Sequence, residues 1–81
     1  MTPTQLREVV AANIRHIAGQ KDLGLNALAD LSGVGRTQLY DVLAGRKAAT
    51  TDWLAKVCVA LEVEPHVLLR PMRERKPAER S

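Results

Sequence analysis

The chain has little cysteine and few aromatic residues, and both shortages limit the kinds of site and core that it can form. Its 81 residues include one cysteine, Cys58, one tyrosine, Tyr40, one tryptophan, Trp53, and no phenylalanine. A single thiol forms neither an internal disulfide nor a multi-thiolate metal site. His16 and His66 have no metal-ligating residues at a suitable spacing, so we expect no metal and no cofactor. With so few aromatics, the core must be built from Leu, Val, Ile and Ala, which favours helices over a sheet.

The sequence also lacks long apolar runs and any pattern typical of catalysis. No stretch approaches the roughly twenty apolar residues of a membrane span, and the start, MTPTQLREVV, is not organised as a signal peptide. We find no nucleophile–base pair, paired carboxylates, metal cluster or phosphate loop. A chain of this length is too short for two domains or for a buried catalytic cavity. We therefore expect one small cytoplasmic domain that is not an enzyme.

The net charge of +3 is concentrated at the C-terminal end. Residues 1–69 carry seven basic and seven acidic side chains, whereas residues 70–81 carry five basic and two acidic ones. The overall charge is therefore no argument for a nucleic-acid partner. Three of the seven cations in the neutral part are nevertheless clustered: Arg36, Arg46 and Lys47. We predict a folded domain over residues 1–70 and a basic, disordered tail over 71–81.

One stretch, from Leu28 to Gly45, has the pattern of two short helices that meet at a tight turn: LADLSGVGRTQLYDVLAG. Apolar residues recur at helical spacing on both sides of Gly33. Glycine accepts the positive φ that is needed where one helix stops within a turn of the next, and Val34 can then fill the corner. The pattern predicts a helix-turn-helix whose second helix turns three residues inward: Leu39, Val42 and Leu43.

This stretch resembles the helix-turn-helix of the phage-repressor and Cro-like (Xre) DNA-binding family, whose core is roughly LAxxxGVSRxxIxxxxxG. Gly35 stands where that family often has Ser or Thr, and glycine still serves as an N-cap at a cost of a few tenths of a kcal/mol. The resemblance covers approximately residues 5–69. It implies an all-α, five-helix bundle of the lambda-repressor-like type. It also implies a repressor-like transcription regulator that binds palindromic double-stranded DNA as a homodimer.

Capping signals define the first three helices. Thr2 and Gln5 form a capping box for a first helix that ends near Gly19. The second helix begins at Leu25, or one position later with Asn26 as its cap, and ends at the glycine turn. The third helix, the recognition helix, runs from about 36 to 44, and Gly45 is its C-terminal cap.

Two further helices follow. A threonine, Thr50 or Thr51, caps the fourth, which carries a buried stripe of Leu54, Val57, Cys58 and Leu61. Glu62 stands where the family usually has a helix-ending glycine, so we expect that turn to be a little strained or differently shaped. A short fifth helix extends from Pro65 to Leu69.

The outward face of the recognition helix carries the candidate base contacts. In helix-turn-helix proteins this helix enters the major groove with its N-terminal residues facing base edges. Arg36 can form a bidentate pair with guanine, and Thr37 can contact a thymine methyl group or a phosphate. Gln38 usually contacts the DNA backbone in the family but can read adenine. Tyr40 and Asp41 lie one turn further in, and Asp41 needs a cytosine amine or a neighbouring cation.

Phosphate contacts are expected around this helix. Arg46 and Lys47 follow it in a loop that the family lays along the DNA backbone, where cations give salt-dependent affinity. Backbone N–H groups near Leu25 and Thr51, at the starts of the second and fourth helices, can bind further phosphates.

One recognition helix reads too few bases for useful specificity, which favours a dimer on half-sites about one helical turn apart. The fourth and fifth helices supply the candidate interface: Trp53, Val63, Val67, Leu68 and Leu69. For Trp53 a core position is the alternative, and base rates favour it.

A second hypothesis is an antitoxin-like or adaptor module that retains the fold as a scaffold and binds a protein partner through the fifth helix and the tail. The clustering of Arg36, Arg46 and Lys47 favours DNA instead. Small repressors, restriction-modification controllers and antitoxins resemble the chain equally well. For a DNA-binding regulator we expect a place in the bacterial or phage nucleoid.

Overall fold

The computed structural model describes residues 1–71, which form five α-helices. These are α1 (Pro3–Gln20), α2 (Leu25–Ser32), α3 (Arg36–Leu43), α4 (Thr51–Leu61) and α5 (Pro65–Leu69). No strand occurs in this range, so the all-α prediction is confirmed. The five described helices include none with the length and apolar character that crossing a membrane requires. Beyond Pro71, the predicted basic tail lies outside the described residues.

Local signals set the helix boundaries. The capping box at the start of α1 forms as predicted, because the Gln5 N–H donates to Thr2 Oγ1 at 3.1 Å and the Thr2 N–H donates to Gln5 Oε1 at 2.8 Å. Of the two predicted starts for α2, the structure has the earlier one, Leu25. The first of the two candidate threonines, Thr50, caps α4, and its hydroxyl accepts from the backbone N–H three residues on.

The core lies between the helices and is almost entirely aliphatic. α1 packs on α3 and α5, α2 packs on α3 and α4, and α4 packs on α5. Cys58 belongs to the core, and burial raises the pKa of its thiol, with the charge of Glu64 adding to the effect. The buried apolar residues are Val10, Ala11, Ile14, Ile17, Ala18, Leu28, Ala29, Leu39, Val42, Leu43, Trp53, Val57, Cys58, Leu61 and Leu68.

Two candidates for the dimer interface are in this core: Leu68, for which the interface prediction is wrong, and Trp53, for which the structure has the core position that base rates favour. Trp53 is 3% exposed and Leu68 is fully buried. Trp53 faces inward because it lies on the same side of α4 as Val57 and Leu61. Neither side chain therefore offers a surface to a second copy of the chain.

The turn after α4 is strained, which is the first of the two outcomes expected from the sequence. Glu62 adopts the left-handed conformation at φ 60° and ψ 44°, which costs a non-glycine residue about 1 kcal/mol. This conformation lets the Val63 N–H donate to the Cys58 carbonyl at 3.1 Å and closes the helix end. The strain is thus offset by a satisfied helix terminus.

Asn13 is a buried polar residue that fixes α5 to α1. Its side chain is 1% exposed, and Nδ2 donates to the carbonyls of Leu68 and Arg70 at 2.8 Å and approaches that of Val67 at 3.2 Å. The last carbonyls of a helix have no partner within the helix. Asn13 therefore caps the C-terminal end of α5 from a helix more than fifty residues away.

Replacing Asn13 by alanine is expected to lower the free energy of unfolding by about 2–3 kcal/mol, since it removes the donor to the buried Leu68 carbonyl and to two part-buried carbonyls. Urea unfolding followed by the fluorescence of Trp53, the single tryptophan, measures this change. Gln20→Ala is the control at an exposed side-chain amide of α1 and should change stability by less than about 0.5 kcal/mol. A loss at Asn13 no larger than the control's would show that this clamp does not stabilise the domain.

Candidate nucleic-acid interface

The turn between α2 and α3 holds these two helices as one unit. Gly33 has a φ of +78°, and its N–H donates to the Ala29 carbonyl at 3.0 Å. The Ser32 hydroxyl donates to the Leu28 carbonyl at 2.7 Å. Val34 is half-buried and packs against the core at the corner. The chain therefore forms the helix-turn-helix that the sequence predicts.

The core fixes the rotation of α3 about its axis. Leu39, Val42 and Leu43 are at most 4% exposed, which confirms the predicted inward face. The remaining side chains of the helix must turn outward because of its 3.6-residue period. Four of the predicted base contacts are accordingly exposed: Arg36, Thr37, Gln38 and Tyr40.

Arg36, the first residue of α3, forms an ion pair with Asp30 of α2. Its Nη2 lies 2.9 Å from Asp30 Oδ2 and its Nε lies 3.4 Å from Asp30 Oδ1. The hydrogen bond to Asp30, with the carboxylate charge, raises the pKa of the Arg36 guanidinium. Both side chains are more than half exposed, so solvent screening keeps the pair weak. The guanidinium is therefore oriented by Asp30 but easily released.

Asp41, also a predicted base contact, pairs instead with the loop that follows α3. Its side chain is only 20% exposed, and Oδ1 accepts from Arg46 Nε at 3.0 Å while Oδ2 lies 3.8 Å from Lys47 Nζ. Its backbone carbonyl also accepts from the Arg46 N–H at 2.8 Å. Gly45, at φ +81°, turns the chain back toward α3. Asp41 therefore holds the loop that carries both predicted phosphate-binding cations.

Tyr40 is linked across the motif to α2. Its hydroxyl donates to Asn26 Oδ1 at 2.8 Å, and the residue remains 42% exposed. Asn26 is the second residue of α2, fourteen positions earlier in the sequence. The hydroxyl of Tyr40 is thus engaged within the protein when no DNA is bound.

The two helix N-termini that were predicted to bind phosphate differ in how many backbone N–H groups they leave free. α2 begins at Leu25 without a side-chain cap, because Gly24 occupies the N-cap position. α4 begins at Thr51, and there the hydroxyl of Thr50 already accepts one backbone N–H. The start of α2 is therefore the better supplied with free N–H donors for an anion.

The three remaining candidates for a dimer interface line three different hollows. Val63 lines a shallow hollow at the corner of α4 and α5 together with Val59. Val67 lines a groove with His16 of α1. Leu69 lines a different, apolar hollow near the start of α1. Only the first of these contains a strongly exposed aliphatic side chain of α4, Val59 at 78%.

The sequence did not reveal Asp30 and Asn26 as part of this face. Their pairing with Arg36 and Tyr40 depends on how α3 crosses α2, and spacing along the chain does not encode this. Within residues 1–71 no group of three or more His, Cys, Asp or Glu residues could hold a metal ion. The charged side chains of this face are three cations and two carboxylates: Arg36, Arg46, Lys47, Asp30 and Asp41.

Comparison with solved structures shows regulators with the same lambda-repressor-like fold. The restriction-modification controller protein C.AhdI from Aeromonas hydrophila is 27% identical with a TM-score of 0.73, covering 76% of this chain and 94% of its own. The clp gene regulator ClgR from Corynebacterium glutamicum is 34% identical with a TM-score of 0.72, covering 79% and 83%. The hypothetical transcription factor NHTF from Neisseria is 30% identical with a TM-score of 0.78, covering 88% and 83%.

Sequence comparison points to the same class of protein. No curated protein matches the chain significantly. The family model for the Cro/C1-type HTH DNA-binding domain matches residues 13–72, which include the whole helix-turn-helix and the loop after it. Such domains belong to DNA-binding transcription regulators, which are not enzymes. The chain therefore belongs to the Cro/C1-type helix-turn-helix DNA-binding family.

Proposed function

We propose that the chain is a sequence-specific, repressor-like regulator that places α3 in the major groove of a palindromic operator as a homodimer. One observation carries this proposal: the core holds α3 so that Arg36 and Thr37, at its N-terminal end, are exposed. These are the positions from which a recognition helix contacts base edges. Arg36 has the donor geometry for guanine O6 and N7, and Thr37 can contact a thymine methyl group.

The surroundings of α3 support the same orientation on DNA. Arg46 and Lys47 follow the helix in a loop shaped by Asp41, and the uncapped start of α2 precedes it. Cations and free N–H groups on either side of a recognition helix suit the two phosphate backbones that border a groove. We assign phosphate contacts to this loop and to the N–H groups near Leu25 and Thr51.

Selection of bound sequences from a random pool of double-stranded DNA tests the function. We expect enrichment of a palindrome whose half-sites are centred about 10–10.5 base pairs, or a multiple of this, apart. A free single-stranded pool of the same length is the control and should not be enriched. Failure to enrich any duplex would refute the proposal and favour the adaptor hypothesis, in which the fold serves as a scaffold.

The corner of α4 and α5 is the surface that we propose for the homodimer. Val59 is 78% exposed there and lies beside the half-buried Val63 and the exposed Ala55 and Pro65. This hollow is distinct from α3, so a second copy seated on it leaves the recognition helix free. Each copy would contribute the same hollow, as the two-fold symmetry of a palindrome requires.

Replacing Val59 by glutamate is expected to weaken the dimer at least about tenfold, because a carboxylate from each copy would be buried without a partner. Sedimentation at micromolar concentration, with and without the selected duplex, measures the change. Leu31→Glu is the matched control, since Leu31 is 66% exposed on α2. A dimer that tolerates Val59→Glu would place the interface elsewhere, and a monomer even on the palindrome would refute the homodimer.

A further inference from the structure

The carboxylate of Asp30 occupies one edge of the Arg36 guanidinium in the free domain. Asp30 Oδ2 accepts from Arg36 Nη2 at 2.9 Å, and Asp30 Oδ1 lies 3.4 Å from Arg36 Nε. Asp30 is on α2 and Arg36 begins α3, so the contact spans the two helices of the motif. The carboxylate therefore covers the edge of the guanidinium on which Nε and Nη2 lie.

This contact has the same form as the one that Arg36 is proposed to make with guanine. A carboxylate offers two oxygen acceptors side by side to the arginine fork. Guanine offers O6 and N7 side by side in the major groove. A guanine that takes the edge of Nε and Nη2 must displace Asp30, because one edge does not serve both pairs of acceptors. The displaced carboxylate then loses its cation.

We propose that Asp30 sets the specificity of the domain: it stands in for guanine in the free protein and lowers affinity for the selected duplex more than affinity for random DNA. The inference rests on the proposed function, in which Arg36 reads guanine. Where no guanine faces Arg36, nothing replaces the two oxygens of Asp30 and the ion pair stays intact. The ion pair is therefore lost on binding to the selected duplex and kept on random DNA.

Asp30→Asn removes both the ion pair and one negative charge, and the two effects can be separated by duplex. The loss of negative charge favours binding to every duplex. The loss of the ion pair favours binding only where Arg36 must leave Asp30. The ratio of the two affinities, selected over random, should therefore rise about 1.4–5-fold, the range for an exposed ion pair.

The experiment measures affinity for the selected and the random duplex at one salt concentration. Asp22→Asn is the matched control, since it makes the same chemical change at an exposed carboxylate that has no ion pair within residues 1–71. Asparagine also tolerates the positive φ of 55° at Asp22. This control should leave the ratio of affinities unchanged. Asp30→Asn should likewise leave it unchanged in the Arg36→Ala background, where the cation is already absent.

Three results would overturn the inference. A ratio that rises no more in Asp30→Asn than in Asp22→Asn would show that Asp30 does not compete with guanine. A ratio that falls would show that Asp30 stays paired in the complex and orients Arg36. An equal rise in the Arg36→Ala background would show that Asp30 acts without Arg36. If Arg36→Ala itself leaves the ratio unchanged, the base reading in the proposed function fails. If Arg36→Ala lowers the ratio and Asp30→Asn does not raise it, only the present inference fails.

Discussion

Replacing Arg36 by alanine is expected to lower affinity for the selected duplex by about 5–150-fold and affinity for random DNA far less. The range corresponds to the roughly 1–3 kcal/mol of discrimination that a bidentate pair with guanine supplies. In the free protein the same guanidinium edge faces Asp30, with Nη2 at 2.9 Å and Nε at 3.4 Å. Solvent screening makes an exposed pair of this kind weak. Guanine can therefore replace Asp30 at little cost.

Two control variants accompany Arg36→Ala: one separates the shape of the side chain from its charge, and the other removes its partner Asp30. Arg36→Lys keeps the charge but not the planar fork, so it should lose discrimination while retaining most affinity for random DNA. Asp30→Asn removes the competing carboxylate and should not weaken binding to either duplex. Equal losses of affinity for both duplexes in Arg36→Ala would show that Arg36 contacts phosphate and reads no base.

Removing both loop cations, in Arg46→Ala/Lys47→Ala, is expected to weaken binding to every duplex and to leave sequence preference intact. Each phosphate contact contributes about 0.9 to the slope of log K against log salt. The double variant should therefore flatten this slope by about two units, and Lys47→Ala alone by about one. Titrations with the selected and the random duplex between low and moderate salt measure the two slopes.

The carboxylate of Asp41 allows a converse test of this loop. It lies 3.0 Å from Arg46 and 3.8 Å from Lys47, so it offsets part of the charge that phosphates would meet. Asp41→Asn keeps an oxygen acceptor for Arg46 but removes the negative charge, so it should raise affinity for random DNA. For the double variant, Lys56→Ala removes an exposed positive charge of α4 away from the loop. It is the control for the loss of charge alone. Slopes that stay unchanged in the double variant would show that the loop does not contact phosphates.

Features set by neighbouring residues could be predicted from the sequence. Gly33 predicts the turn because only glycine adopts a positive φ without strain. Thr2 and Gln5 predict the start of α1 because a capping box needs residues three apart. Glu62 predicts a strained or differently shaped turn because it replaces the usual glycine, and the structure has the strained one, with a positive φ at Glu62. In each case the cause and its effect lie within one turn of helix.

Features set by tertiary packing could not be predicted in this way. Asn13 caps carbonyls of α5 and of Arg70, the residue after it, which are 54 to 57 residues away, and its position among the apolar residues of α1 gives no sign of that role. Trp53 and Leu68 fit a surface or a core equally by spacing, and only the packing of α4 and α5 buries them. The partners of Arg36, Tyr40 and the loop cations likewise follow from where α2 crosses α3.

Amide chemical shifts recorded while the selected duplex is added test the central claim most directly, because they show which face of the domain meets DNA. We expect the largest changes at the start of α2, along α3, in residues 44–47 and at the start of α4. The corner of α4 and α5 around Val59 should change little once the dimer has formed. Changes confined to that corner or to α1, with α3 unaffected, would contradict the assignment of α3 as the recognition helix.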